Sequence, residues 1–206
     1  MARARHLRQA SFSGGPATAA MISPASDYLS EEVLRDGGSI HVRAIRAVDK
    51  ERLREFSRGL SSRSVYFRFF APRKKLTAGE LAWLTELDFE RHVALVATVG
   101  HDDEERIVGV GRYIVPPTEP TPPRSAEVAF VILDEHQGRG IASVLLSHLL
   151  LIAKRKGIRE FQADVLRENR AMLRVFEKSG LRARRNVESG VMHLAFPTEE
   201  TTSTPK

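Results

Sequence analysis

The sequence predicts an α/β domain built on a mixed sheet. Three observations carry that expectation. Apolar, β-branched runs of period two alternate with segments of helical period, in the order strand, three helices, three strands, helix, strand, helix, two strands. Two of those strands flank the acidic turn G-H-D-D-E-E, a hairpin signal, whereas later strands are separated by helices, a crossover signal. Gly157 and Gly180 stand where the two later helices need a terminating residue.

The elements follow in order. Residues 39–46 (S-I-H-V-R-A-I-R) alternate as a strand, with Ile40, Val42 and Ala44 on one face and His41, Arg43 and Ile45 on the other. Residues 48–60 read as a helix opened by Asp49, with Gly59 near its end, and 61–70 and 77–87 as two further helices. Residues 92–99 and 106–115 are the hairpin strands. Residues 116–125 hold five of the ten prolines and form a loop. An apolar strand at 126–133 precedes a long helix that runs to about residue 156, with Lys154, Arg155 and Lys156 at its negative end. A strand at 160–165, a helix at 169–179 and two closing strands at about 181–186 and 190–196 complete the domain.

A chain of 206 residues with 42% hydrophobic residues suffices for one core. The absence of cysteine excludes disulfides, thiolate metal sites and a cysteine nucleophile, and suits a reducing compartment. The longest apolar stretch, residues 144–153, contains Ser147 and His148 and falls short of the roughly 20 residues a bilayer crossing needs. A soluble, cytoplasmic protein without a membrane partner is expected. Residues 1–26 carry Arg3, Arg5 and Arg8, no acid, and much Ser, Ala and Gly. That composition builds no core and is shared by organellar transit peptides. The expected organisation is a flexible tail at 1–37, one domain at 38–197 and a second tail at 198–206. The net charge of +6 is concentrated: residues 154–185 hold 11 basic against 4 acidic residues. Such an excess suits an anionic ligand or a solvated surface. No aromatic residues interleave with it as a nucleic-acid platform requires, so nucleic acid is not expected.

The chemical signal lies at 126–142, A-E-V-A-F-V-I-L-D-E-H-Q-G-R-G-I-A. A turn with two glycines opens a helix there. Glycines let backbone approach a ligand closely, and the free amides with the helix dipole favour an anion such as a pyrophosphate. The same stretch also reads as a plain Gly-rich turn. Neither G-x-x-x-x-G-K-[ST] nor G-x-G-x-x-G is present, and the seven histidines show no metal-ligand spacing.

Gln137, Gly140 and Ala142 make the pattern Q-x-x-G-x-A after an apolar strand, which resembles the acyl-CoA-binding signature of the GNAT acetyltransferase superfamily. Asn169-Arg170-Ala171-Met172 followed by Phe176-Glu177-Lys178-Ser179-Gly180-Leu181 resembles that superfamily's next motif, and the element order agrees over nearly all of 38–197. A narrower resemblance, in 60–70 (L-S-S-R-S-V-Y-F-R-F-F), 91–97 (R-H-V-A-L-V-A) and 126–130, is to the catalytic domain of bacterial protein lysine acetyltransferases that act on acyl-CoA synthetases. Those enzymes often carry a further domain, for which this chain is expected to have no room.

The resemblance implies a mostly antiparallel mixed sheet with helices on both faces. The strands at 126–133 and 160–165 would start parallel and splay. Acetyl-CoA would be the co-substrate, without a metal. Its pantetheine arm would pair with Phe130, Val131 and Ile132. Its pyrophosphate would sit on the turn of Gln137, Gly138, Arg139, Gly140, Ile141, Ala142 and Ser143. Arg139, Arg170 and Arg174 suit further phosphate oxygens or a solvated surface, and Asn169 suits the pantetheine or a helix cap. Glu127 is the candidate base, expected to be desolvated among Ala126, Val128, Ala129 and Phe130, or else ion-paired with Arg112. Many relatives have Tyr where this chain has Phe176, which cannot protonate a leaving thiolate. Leu181 and Ala142 are packing changes. The expected acceptor is a protein lysine, as on an acyl-CoA synthetase. A small-molecule amine, favoured by any acidic patch formed by Glu86, Asp88 and Glu90, and a non-catalytic acyl-CoA sensor are the alternatives.

Overall fold

The eight strands form one sheet in the order β1-β2-β3-β4-β5-β6-β8-β7 in a computed structural model that describes residues 25–72 and 75–198. The strands are β1 (Leu29–Val33), β2 (Ser39–Ala44), β3 (His92–Val99), β4 (Arg106–Ile114), β5 (Ser125–Ile132), β6 (Glu160–Leu166), β7 (Arg184–Glu188) and β8 (Val191–Pro197). The helices are α1 (Lys50–Gly59), α2 (Ser62–Phe69), α3 (Ala78–Thr85), α4 (Ile141–Arg155) and α5 (Arg170–Lys178). Every neighbouring pair of strands is antiparallel except β5 and β6. The expected α/β architecture is present. No helix among the described residues is long and apolar enough to cross a membrane.

Strand alternation divides the core between two faces. On one face Phe130, Tyr113, Phe161 and Phe196 pack with Leu145 and Leu149 of α4 and Phe176 of α5. On the other, Ala94, Val96 and Val110 meet Leu53 and Phe56 of α1 and Leu81 of α3. A Cβ at Gly111 would lie 2.8 Å from the Phe130 ring, so glycine there lets α4 and Phe130 close on β4.

Two expectations change. β1 lies within the segment expected to be an N-terminal tail; the expectations for 1–24 and 199–206 fall outside the described residues. β1 is an edge strand exposed along much of its length, hence without a periodic signal. It is held by pairing with β2 and by the Tyr28 hydroxyl, 2.5 Å from His148 Nδ1 of α4, with His148 Nε2 3.1 Å from Glu32. Asp49 precedes α1 but makes no capping bond to it with its side chain. It is buried and accepts two bonds from Arg43, at 2.7 and 2.8 Å, while Arg43 also donates to Glu105 at 2.8 and 2.9 Å. This buried ion triad joins β2, α1 and the β3–β4 turn.

Candidate active site

β5 and β6 pair at Ser125–Glu160, Ala126–Phe161 and Glu127–Gln162 and nowhere further, although β5 continues to Ile132 and β6 to Leu166. The strands therefore diverge, and a cleft of about 1130 Å³ opens between them. The Leu133 N–H donates to Val108, so alternation turns the odd-numbered residues of β5 toward β4. The N–H and C=O of Phe130 and the N–H of Ile132 consequently face the gap, with no strand beside them. An extended polar chain with amide groups fits that edge.

The turn before α4 forms the far end of the cleft. Gly138 and Gly140 have φ of 78° and 98°, values that favour glycine, and a Cβ on either meets nothing within 4 Å. The open space is where a ligand would lie. Gly140 caps α4 without a side-chain bond, so the first N–H groups of this 15-residue helix point unpaired into the cleft. Gly138, Gly140, Ile141, Ala142 and Ser143 line it, as do Phe130, Val131, Ile132, Asn169, Arg170 and Arg174. Free amides, a helix dipole and two arginines suit a pyrophosphate. The Asn169 Oδ1 accepts the Met172 N–H at 3.1 Å, so Asn169 also caps α5.

Two side chains of the predicted set behave differently. Arg139 lies outside the cleft lining: its Nε donates to Asp36 at 2.5 Å and its guanidinium to His136 Nδ1 at 3.1 Å. Adjacent residues in a tight turn point to opposite sides, so Arg139 binds the β1–β2 turn. Gln137 spends its amide within the protein, donating to Ser64 Oγ and to the Ile132 carbonyl, each at 3.1 Å.

Glu127 occupies the last paired position of β5, at the floor of the cleft. The expectation that it is desolvated is overturned: alternation buries Ala126 and Val128 and leaves Glu127 exposed. Among the described residues it has no hydrogen-bond or ion-pair partner, so the pairing with Arg112 is absent as well. Its carboxylate is available to an incoming group. Buried Arg112 instead donates to His92 Nε2 at 3.1 Å. Burial and the Arg112 charge hold His92 down to about 4, against the opposing pull of Asp88.

The alternative acids are engaged elsewhere. Glu86 pairs with Lys50, Glu90 with Lys156, and Asp88 Oδ1 accepts the N–H groups of Glu90, Arg91 and His92. None lines the cleft. Sequence reasoning missed Gln162, Asp164 and His193, which line the cleft beside Glu127, and Ser64 and Asp134 on the opposite wall. The pairing of Glu127 with Gln162 is a register fact that no local pattern encodes.

Comparison with known proteins places these features in context. Residues 60–181 match the family described as acetyltransferase (GNAT) family. An acetyltransferase of Pseudomonas aeruginosa is 36% identical over 141 residues, 68% of this chain and 74% of the relative. The acetyltransferase Pat of Mycolicibacterium smegmatis is 33% identical over 147 residues, 71% of this chain but 42% of that protein. The crystal structure of the GNAT domain of S. lividans PAT superposes with a TM-score of 0.76 at 40% identity, covering 82% of this chain and 96% of that one.

Proposed function

Because this chain belongs to the acetyltransferase (GNAT) family, we propose that it acetylates the side-chain amine of a protein lysine, with Glu127 as general base. Acyl-CoA-dependent N-acetyl transfer goes with the family, and acetyl-CoA is its co-substrate. The observation that carries the base assignment is the unpartnered Glu127 carboxylate where β5 and β6 part.

A lysine ammonium, with a pKa of about 10.4, is neutral in only about one molecule in 2,500 at pH 7. Only the neutral amine attacks a carbonyl carbon, so an acceptor beside Glu127 must first lose a proton. The Glu127 carboxylate takes it, directly or through one water. Bound acetyl-CoA supplies a thioester carbonyl: the new C–N bond forms there, the nitrogen gives its second proton to water, and the C–S bond breaks. Phe176 offers no proton to the departing sulfur, but a thiol of pKa about 8.5 leaves adequately as thiolate and is reprotonated from water. Glu127 returns its proton to solvent, to which it is exposed.

The cleft's surroundings favour a protein acceptor over a small amine. Beyond Glu127, Gln162 and Asp164 of β6 and every residue of β7 are exposed. This leaves a flat approach for a loop of a folded protein. Glu86, Asp88 and Glu90, the acids a polyamine patch was expected to use, are engaged elsewhere and do not line the cleft, and Asp164 beside it is bonded to His193. The likeness to Pat and to the S. lividans PAT domain supports the same reading, with an acyl-CoA synthetase as the first acceptor to try.

The test is incubation with acetyl-CoA and a purified acyl-CoA synthetase, with new acetyl-lysines mapped by mass spectrometry. Glu127→Gln should bind acetyl-CoA as wild type does and turn over about 10²–10⁴-fold more slowly, with partial recovery at high pH. Acetylation of free polyamines but of no protein would overturn the acceptor assignment. Retention of more than about a third of the turnover by Glu127→Gln, with chemistry limiting, would overturn the base.

A further inference from the structure

α2 forms one wall of the cleft through Arg63, Phe67, Arg68 and Phe69, yet its only buried residue is a serine, Ser64. A helix of eight residues is too short to persist by propensity, and this one lacks a buried apolar anchor. A polar network holds its N-terminal turn. The Ser64 hydroxyl donates to Asp134 Oδ1 at 2.9 Å. Ser61, the N-cap of α2, donates its hydroxyl to the same oxygen at 2.7 Å and its backbone N–H to Oδ2 at 3.0 Å. Ser64 Oγ in turn accepts from Gln137 Nε2 at 3.1 Å. Burial alone would raise the Asp134 carboxyl, but the bonds from Ser61 and Ser64 outweigh it and hold the group ionised below its ordinary range.

Asp134 and Gln137 stand on the stretch that leads directly into Gly138 and Gly140. Their two side chains therefore join α2 to the turn with unpaired amides. On the reading that this turn receives the pyrophosphate, we propose that Ser64 and Asp134 are positioning residues that transmit its occupancy to α2. An anion on the turn fixes Gln137 and Asp134, these fix Ser61 and Ser64, and the cleft wall becomes ordered. Ser64 and Asp134 need touch neither substrate.

Hydrogen–deuterium exchange of the full chain with and without saturating CoA, which cannot react, tests this. In wild type, CoA should slow exchange at 138–144 and also at 62–69. At α2 the slowing should be about fivefold, the effect of one hydrogen bond on a local opening equilibrium. Ser64→Ala and Asp134→Asn should keep the slowing at 138–144 and lose it at 62–69, with exchange in β3 and β4 unchanged as the check on folding. Unchanged α2 exchange in CoA-loaded wild type would overturn the proposal while leaving the pyrophosphate turn intact. This comparison decides even if the variants fold poorly. Undiminished α2 protection in well-folded Ser64→Ala would overturn it too. No slowing at 138–144 would refute the turn assignment itself and the coupling with it.

Discussion

Replacing Gly140 by valine perturbs the turn in two ways that separate experimentally. The residue has φ of 98°, where an L side chain is strained at a cost of about 1–3 kcal/mol. A Cβ meets nothing within 4 Å, so no clash adds to that strain. At about 2–4 °C per kcal/mol for a chain of this size, Tm should fall by several degrees. The second effect concerns the ligand alone: the valine methyl groups occupy the space through which a pyrophosphate reaches the amides. Losing even one charge-assisted hydrogen bond costs about 1.5–3 kcal/mol, or about 10- to 150-fold in affinity. Gly157, with φ of 77° and equally open surroundings, ends α4 and does not line the cleft. Gly157→Ala should therefore lower Tm and leave acetyl-CoA affinity as in wild type. Isothermal titration calorimetry, with thermal unfolding of the same samples, reads both effects. Equal affinity for wild type and Gly140→Val, within a factor of two, would refute the assignment of this turn to the pyrophosphate.

Other outcomes follow from the same geometry. Arg139→Ala should leave acetyl-CoA affinity within about twofold by calorimetry, whereas Arg174→Ala should weaken it by about tenfold, and less at high salt; equal effects would contradict the placement of Arg139 on Asp36. His92 stays neutral in the fold down to about pH 4, whereas the unfolded chain protonates it near 6.5, so stability is full above pH 6.5 and falls as pH drops toward 4. His136 and His148, also held low chiefly by burial, act in the same sense. His92→Asn should flatten, without abolishing, the decline in Tm between pH 6.5 and 5, and an unchanged slope would refute the reading. Arg43→Met should cost about 3–5 kcal/mol in urea unfolding by removing two of the bonds to buried Asp49, which keeps the Arg46 N–H at 2.8 Å and Arg52 at 3.8 Å, and a loss below about 1 kcal/mol would show that these two relieve it.

The strands of the core were legible because burial imposes a period. β3, whose interior residues are all buried, is unmistakable in H-V-A-L-V-A-T-V. β1 was not, because L-S-E-E-V gains its order from pairing with β2 and from the Tyr28–His148–Glu32 contacts, which are distant in sequence. Glu127 was singled out as a carboxylate in an apolar strand, yet its exposure shows that apolar neighbours along a strand do not bury the residue between them. The glycines of the turn announced their backbone, whereas the direction of Arg139 depends on the position of Asp36, 103 residues away. Asp134 carries no signal of its own in the strand-to-helix junction. Its partners, Ser61 and Ser64, are supplied by another helix, and no local pattern joins them.

The three-residue seam between β5 and β6 makes the sheet divisible. An eight-stranded sheet joined at so short a seam is two smaller sheets in tandem, one of β1 to β5 and one of β6 to β8, with little backbone bonding across the join. On the proposed reading, a substrate along the free edge of β5 would supply part of the missing stitching. Binding only the folded chain, it would add stability by mass action, about 2.7 kcal/mol when present at a hundred times its dissociation constant.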